Sequence, residues 1–227
     1  MIKKILPIIL AFGIINMNCG QSKKENNVTM ETKKSNETQN SAKDGTENLK
    51  EKKDIAVIST EYGDMVVEFF EEAAPKHVQS FKLHAQNRYY DGTIFHRVIP
   101  GFMIQGGDPN TKSSNKASYG TGGHAAKYFG IGDEEDSTSW TIPSEFNDIK
   151  HSPGILSMAR STDPNSGGSQ FFICAARAEH LDRNYTVFGQ VVQGNQIIDK
   201  IVNLPRDRRD NPNRRVEMRI RLEKRDK

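Results

Sequence analysis

Two cysteines in 227 residues cannot build a disulfide framework. Cys19 sits beside an apolar N-terminal run, and Cys174 ends the strand-like run Phe171-Phe172-Ile173-Cys174. A bridge would have to tie a polar tail to a core strand, so a fold held by disulfides is excluded and Cys174 reads as a small buried hydrophobe. Long apolar runs are equally scarce. Ile5 to Ile15, broken by Pro7 and Gly13, falls far short of the roughly 20 apolar residues that span a bilayer. Charge of one sign is missing too: 32 Lys and Arg against 29 Asp and Glu leave +3, too little for the basic face of a nucleic-acid binder. Gly120-Thr121-Gly122-Gly123 lacks the following Gly-Lys-Ser/Thr of a phosphate loop. The acids Asp133-Glu134-Glu135-Asp136 lack the alternating ligands and central glycine of a calcium loop, and read as solvated surface. No internal repeat is evident, and neither a metal nor a cofactor is expected.

What is present divides at about Asp54. Residues 1–18 have a positive start, Lys3 and Lys4, and a short apolar core, the pattern of an export signal. Cys19 then stands where bacterial lipoproteins carry their lipidation cysteine; an ordinary signal peptide with an incidental cysteine is the other reading. Residues 19–53 are rich in Lys, Glu, Asn, Ser and Thr. Such a segment buries too little surface to offset its conformational entropy, so a disordered tether is expected. At about 34 residues it would hold a domain on the order of 30–35 Å from a membrane anchor. The expected location is therefore outside the cytoplasm, lipid-anchored to the cell envelope on its periplasmic or surface side.

Residues 54–227 carry the folded domain. Ile55 to Ile58 and Met65 to Phe70 flank a turn at Glu61-Tyr62-Gly63-Asp64 and predict a hairpin. Pro75 opens a helix, where its missing N–H is harmless, with Val78, Phe81, Leu83 and Ala85 as its apolar face. Ile197, Ile198, Ile201 and Val202 mark one buried face of a second helix, stopped by Pro205. Val216 to Leu222 alternates apolar and charged residues, a half-buried strand. Many short strands with two helices predict a mainly β antiparallel barrel capped by helices. Arg206 to Lys227 has ten basic residues against five acidic; it reads as solvated surface, or as a contact for acidic lipid or partner.

The most informative run is Phe95-His96-Arg97-Val98-Ile99-Pro100-Gly101-Phe102-Met103-Ile104-Gln105-Gly106-Gly107-Asp108-Pro109. It packs an arginine, large apolar side chains and an amide into two short segments joined by Pro-Gly, with no nucleophile beside them. Gly154-Ile155-Leu156-Ser157-Met158-Ala159-Arg160, Ser169-Gln170-Phe171-Phe172-Ile173-Cys174 and Leu181 to Gly189 follow in order. Together they resemble the cyclophilin family of peptidyl-prolyl isomerases over roughly Ile55 to Leu222. The resemblance implies a closed eight-stranded antiparallel barrel capped by two helices. It places Arg97, Phe102, Met103, Gln105, Ala159, Gln170, Phe172, Leu181 and Tyr185 on active-site positions, with Arg160 contributing its backbone.

That chemistry needs no nucleophile. Rotation about an X–Pro bond faces a barrier of roughly 18–20 kcal/mol, and a catalyst has only to bind the twisted amide better than the planar forms. About five decades of acceleration need roughly 7 kcal/mol of such preference. Arg97 can donate to the lone pair that twisting localises on the proline nitrogen. Phe102, Met103, Phe172 and Leu181 can grip the ring, with Tyr185 at the rim. Gln105 can hold Arg97 or a substrate carbonyl, while His96 is expected on the other side of its strand with no catalytic role. Pro-containing polypeptides are the expected partners and a monomer the expected state. His180 stands where drug-sensitive family members carry Trp, and Tyr185 where many carry His, so weak cyclosporin binding is expected. The non-catalytic alternative is a proline-binding or holdase module on the cell envelope; retention of both Arg97 and Gln105 argues against it.

Overall fold

A computed structural model describes residues 52–226. The expected signal segment, Cys19 and the expected tether as far as residue 51 therefore lie outside the described residues. The first strand, β1, spans Lys52–Thr60 and so starts two residues before the expected boundary. It turns into β2, Gly63–Phe69, through Glu61-Tyr62. Thr60 Oγ1 accepts from the Tyr62 amide at 3.1 Å and donates to the Gly63 carbonyl at 3.0 Å, closing the predicted hairpin. Helix α1 is Pro75–Gln86. Strands β3, Arg97–Ile99, and β4, Met103–Gly106, form the second hairpin. After a long excursion come β5, Ile155–Met158, β6, Phe171–Cys174, and β7, Val187–Gln193. Helix α2, Asn195–Val202, and β8, Arg219–Asp226, finish the fold.

The eight strands form one antiparallel sheet in the order β3-β4-β6-β5-β7-β2-β1-β8. Closure is where expectation and structure part. The ladder has two ends, β3 and β8, and does not run continuously round. Among the described residues a single bridge lies across the gap, Ile94 with Glu217, flanked by three backbone hydrogen bonds: Gly92 N–H to Met218 O, Met218 N–H to Thr93 O, and Phe95 N–H to Val216 O. Val216 and Met218 thus belong to this seam rather than to β8, which instead runs on to Asp226. Their alternation with Glu217 still holds, apolar side chains buried and the acid exposed.

One interior collects both helices. The buried residues of α1 are His77, Val78, Ser80, Phe81, His84 and Ala85, the i, i+1, i+3, i+4, i+7, i+8 spacing of a helix face. Leu83, expected on that face, falls off it and is only half-buried, while His84 takes the place. The Phe81 ring lies 5.1–5.7 Å from those of Phe69, Tyr90, Phe171 and Phe188. Ala74, before the helix, offers no side-chain cap. The cap comes from far along the chain: Glu145 accepts from the amides of Lys76 and His77 and, at 2.6 Å, from His77 Nδ1–H. A carboxylate there also complements the positive end of the helix dipole.

The stretch between Gly123 and Ile142 is a surface excursion pinned at its base. Ala125 N–H donates to Trp140 O at 2.9 Å, and Trp140 Nε1–H to Asp133 O at 2.8 Å. Its acids, Asp133 to Asp136, are exposed.

Burial sets the acid response of this fold. His84 is 3% exposed, with Nε2–H donated to His124 O at 2.8 Å. His96 is 3% exposed, and neither ring nitrogen has a hydrogen-bond partner among the described residues. Burial pushes both imidazoles down to about 4. The unfolded chain, with histidines near about 6.5, takes up protons first on acidification. The stabilisation from neutral histidine is thus complete above about pH 6.5 and is lost as pH falls toward about 4. Chemical denaturation at a series of pH values should show stability declining across that window, and His84→Gln should shallow the decline. A flat profile between those limits contradicts this assignment.

Candidate active site

The β3–β4 hairpin turns through Pro100-Gly101. Gly101 takes φ +71° and the Phe102 amide donates to Ile99 O at 3.0 Å. Proline followed by a residue of positive φ suits a type II turn, which glycine enters without strain. This turn fixes the register: Arg97 faces Gln105 and Ile99 faces Met103. Gln105 in turn faces Phe172 on β6, and Phe172 faces Ser157 on β5. Because side chains repeat every second residue, Arg97, Gln105, Phe172 and Ser157 form one row across four strands.

Polar groups in this row are aligned by a relay. Arg97 Nη1 donates to Gln105 Oε1 at 3.4 Å, Gln105 Nε2 donates to Gln170 Oε1 at 3.0 Å, and Gln170 Nε2 donates to the Gly122 carbonyl at 2.7 Å. A guanidinium can only donate and a carbonyl can only accept. The two amides between them therefore have one consistent orientation.

The apolar groups form a cluster separate from the interior: Met103, Ile155, Phe172, Cys174, Ala178, Leu181 and Val187, with Phe102, Ala159 and Tyr185 packed against it. Phe172 is 5% and Leu181 6% exposed. Phe102 is pinned through its carbonyl, which accepts from the amides of Ala175 and Ala176 at 2.8 and 3.3 Å. Its ring lies 5.4 Å from that of His180, and Tyr185 meets Phe172 edge-on at 5.8 Å. Cys174 is fully buried, its thiol pushed up to about 12 by burial, so it is packing rather than a nucleophile.

Behind Phe172 lies a group that the sequence did not announce. The His151 ring stacks on Phe172 at 6.0 Å and 15°. Its Nδ1–H donates to Asp182 Oδ1 at 3.1 Å, and Nε2 lies 3.1 Å from Ser157 Oγ. Hydrogen bonding from Arg177 and from the His151 amide holds the Asp182 carboxyl well below the usual range. Burial pushes the His151 imidazole down, with Asp182 opposing. The order Ser-His-Asp matches a hydrolase triad. Ser157 and His151, however, are each 0% exposed, so no substrate carbonyl reaches the hydroxyl. The group holds a ring, and the ring backs Phe172.

These elements enclose a cleft of about 540 Å³ lined by Arg97, Phe102, Met103, Gln105, Ala159, Arg160, Phe172, Leu181 and Tyr185, together with His180. Gln170 is not on that wall. It lines an adjoining pocket of about 240 Å³ that Gln105, Ala159 and Arg160 share, and it reaches the cleft through Gln105. The Ala159 amide is donated to Gln170 O at 3.0 Å, so its N–H is not available to a bound peptide. His96, expected on the far side of its strand, is buried yet also reaches the cleft wall. Tyr119, Gly120, Arg209 and Asn211 line it as well. Sequence reasoning missed these four. Arg209 and Asn211 lie in a stretch notable in sequence only for its charge, and a tertiary contact, Asn211 Nδ2–H to His96 O at 2.6 Å, brings that loop to the site.

Residues 55–221 match the family model described as cyclophilin type peptidyl-prolyl cis-trans isomerase/CLD. A fission yeast (Schizosaccharomyces pombe) protein, peptidyl-prolyl cis-trans isomerase 9, is 40% identical over 158 residues, which are 69% of this chain but 23% of the relative. A peptidyl-prolyl cis-trans isomerase of Acinetobacter baylyi is 36% identical over 65% of this chain and 71% of its own length. Among solved structures, a Cryptosporidium parvum cyclophilin type peptidyl-prolyl cis-trans isomerase crystallised in the presence of the dipeptide Ala-Pro superposes with a TM-score of 0.63 at 31% identity. That match covers 74% of this chain and 98% of the other. With motif, register and cleft in agreement, the chain belongs to the cyclophilin-type peptidyl-prolyl cis-trans isomerase family.

Proposed function

We propose that this protein accelerates rotation about X–Pro bonds in unfolded or extended protein segments, and that it assists folding outside the cytoplasm from a lipid anchor. The observation that carries the catalytic reading is the one-directional relay that aims Arg97 beside an apolar cluster. A proline ring lodged among Phe102, Met103, Phe172 and Leu181 stays still while the preceding carbonyl turns. At the twisted midpoint the nitrogen becomes pyramidal, and Arg97 donates to its lone pair, an interaction absent from both planar forms. Gln105 and Gln170 position the guanidinium, and the backbone at Arg160 pairs with the extended peptide. The Ala-Pro dipeptide named with the Cryptosporidium structure is of the substrate class this reading requires.

The addressing half of the proposal rests on sequence. Lys3-Lys4, the apolar run to Ile15 and Cys19 support export followed by lipidation, and the polar residues after Cys19 set the domain off from the membrane. The His180 side chain, exposed against Phe102, offers a smaller ring surface than an indole, which supports weak cyclosporin binding with catalysis kept.

Three outcomes follow. In exchange spectroscopy on an Ala-Pro peptide, the full chain should accelerate isomerisation, and Arg97→Ala should lower kcat/KM by about tenfold to a hundredfold, the loss of one charge-assisted bond of ~1.5–3 kcal/mol. A folded wild type without acceleration would favour the proline-binding module instead. Titration with cyclosporin should show affinity far weaker than nanomolar, and His180→Trp should strengthen it; nanomolar inhibition of the wild type refutes the His180 argument. Metabolic labelling with a fatty acid should mark the wild type and not Cys19→Ser, whereas equal labelling of both removes Cys19 as the anchor.

A further inference from the structure

Three arginines line the cleft, Arg97, Arg160 and Arg209, and among the described residues no carboxylate lines it. Arg97 is partly answered, with Nε 4.0 Å from Asp210 Oδ2, although Asp210 also takes Arg206 Nε at 3.0 Å. Among the described residues, the hydrogen-bond partners of the other two guanidinium groups are backbone carbonyls. Arg160 donates from Nε and Nη2 to Asn184 O at 3.0 and 2.9 Å, and from Nη1 to Ser161 O at 2.8 Å and Thr162 O at 3.2 Å. Its guanidinium lies 4.4 Å over the Tyr185 ring. Arg209 donates from Nη1 to Lys116 O at 3.3 Å, while the Lys116 ammonium itself is answered by Asp207 at 3.6 Å.

Carbonyl partners orient a guanidinium without cancelling its charge. An exposed arginine lacking a carboxylate is ordinary on a surface, where salt screens it. Here two such charges, from segments far apart in sequence, converge on the groove that must receive the peptide. Apolar walls concentrate a field of one sign, and stacking on Tyr185 keeps the Arg160 charge at the rim instead of letting it swing into solvent.

We infer that the cleft selects proline segments bearing an anionic side chain, Asp, Glu or a phosphorylated Ser or Thr, within a few residues of the proline, and that Arg160 and Arg209 set this preference. The inference rests on the isomerase reading above and names its substrate class. Both residues act in recognition, and neither is required to touch the rotating bond.

Exchange spectroscopy with the full chain tests it on four peptides sharing one Ala-Pro core and flanked by Gln, Glu, Lys or phosphoserine. At low ionic strength kcat/KM should favour Glu over Lys by about tenfold, the sum of two near-surface charge pairs. The ratio should shrink toward unity at about 1 M salt, where the screening length falls to ~3 Å. Arg160→Glu with Arg209→Glu should invert the order, and Arg209→Gln alone should roughly halve the preference on a logarithmic scale. Phosphoserine exceeding Glu would assign phosphorylated segments as the preferred source, and Glu equalling it would assign ordinary acidic ones; both support the inference. Equal rates for Glu and Lys with the wild type overturn it, as does a preference that survives both substitutions. Acceleration of the Gln peptide without any charge preference sinks this inference alone. No acceleration of any peptide sinks the isomerase reading and this inference with it.

Discussion

The role proposed for Arg97, stabilising a twisted amide, requires a guanidinium that is already aimed, and hydrogen-bond polarity orients this one. From Arg97 through Gln105 and Gln170 to the Gly122 carbonyl, each group donates to the next. Reversing either amide would set donor against donor or acceptor against acceptor. The arginine is thus fixed by two side chains on β4 and on the approach to β6, and by a backbone carbonyl in a distant loop. None of these needs to touch substrate. The longest link, 3.4 Å between Arg97 and Gln105, is the one a bound peptide can tighten, since catalytic contacts in free enzymes are commonly loose.

The apolar part of the site depends on a different constraint. Strands alternate faces, so one set of residues on β4, β5 and β6 fills the interior around Phe81 while the other builds a second cluster under the cleft. Met103 and Phe172 belong to the latter, with Ile104, Phe171 and Ile173 as their inward neighbours. The cleft floor is therefore the reverse side of a packed core, and close packing there limits how far it can yield. His151 adds a rigid backing through its stack on Phe172 and its bonds to Asp182 and Ser157. An enzyme that makes and breaks no covalent bond gains from such stiffness, because its pocket has to fit the midpoint of a rotation better than either end.

Much of this was legible in the residues. Pro100-Gly101 announces the turn that sets Arg97 opposite Gln105, and the apolar spacing at Ile197, Ile198, Ile201 and Val202 gives α2 its buried face. The two helices, the β1–β2 hairpin and nine residues of the cleft wall could be placed from spacing and family resemblance. What stayed hidden is tertiary in origin. Leu83 reads as core by type, but helix geometry hands its place to His84. The carboxylate that caps α1 comes from Glu145, in a loop with no pattern of its own. The seam through Ile94 and Glu217 replaces a continuous ladder because pairing there is limited to a few hydrogen bonds. Arg209 and Asn211 looked like surface charge until the loop carrying them was seen bonded to His96 O.

The central claim is that Gln105 and Gln170 act through Arg97. A double-mutant cycle on X–Pro exchange tests it most directly, pairing Gln170→Leu with Arg97→Ala and measuring kcat/KM for each variant and for the pair. The relay predicts that Gln170→Leu lowers kcat/KM in the wild type but changes little once Arg97 is gone. Additive losses, with Gln170→Leu equally harmful in both backgrounds, would show that the amides serve the substrate independently and would contradict the account.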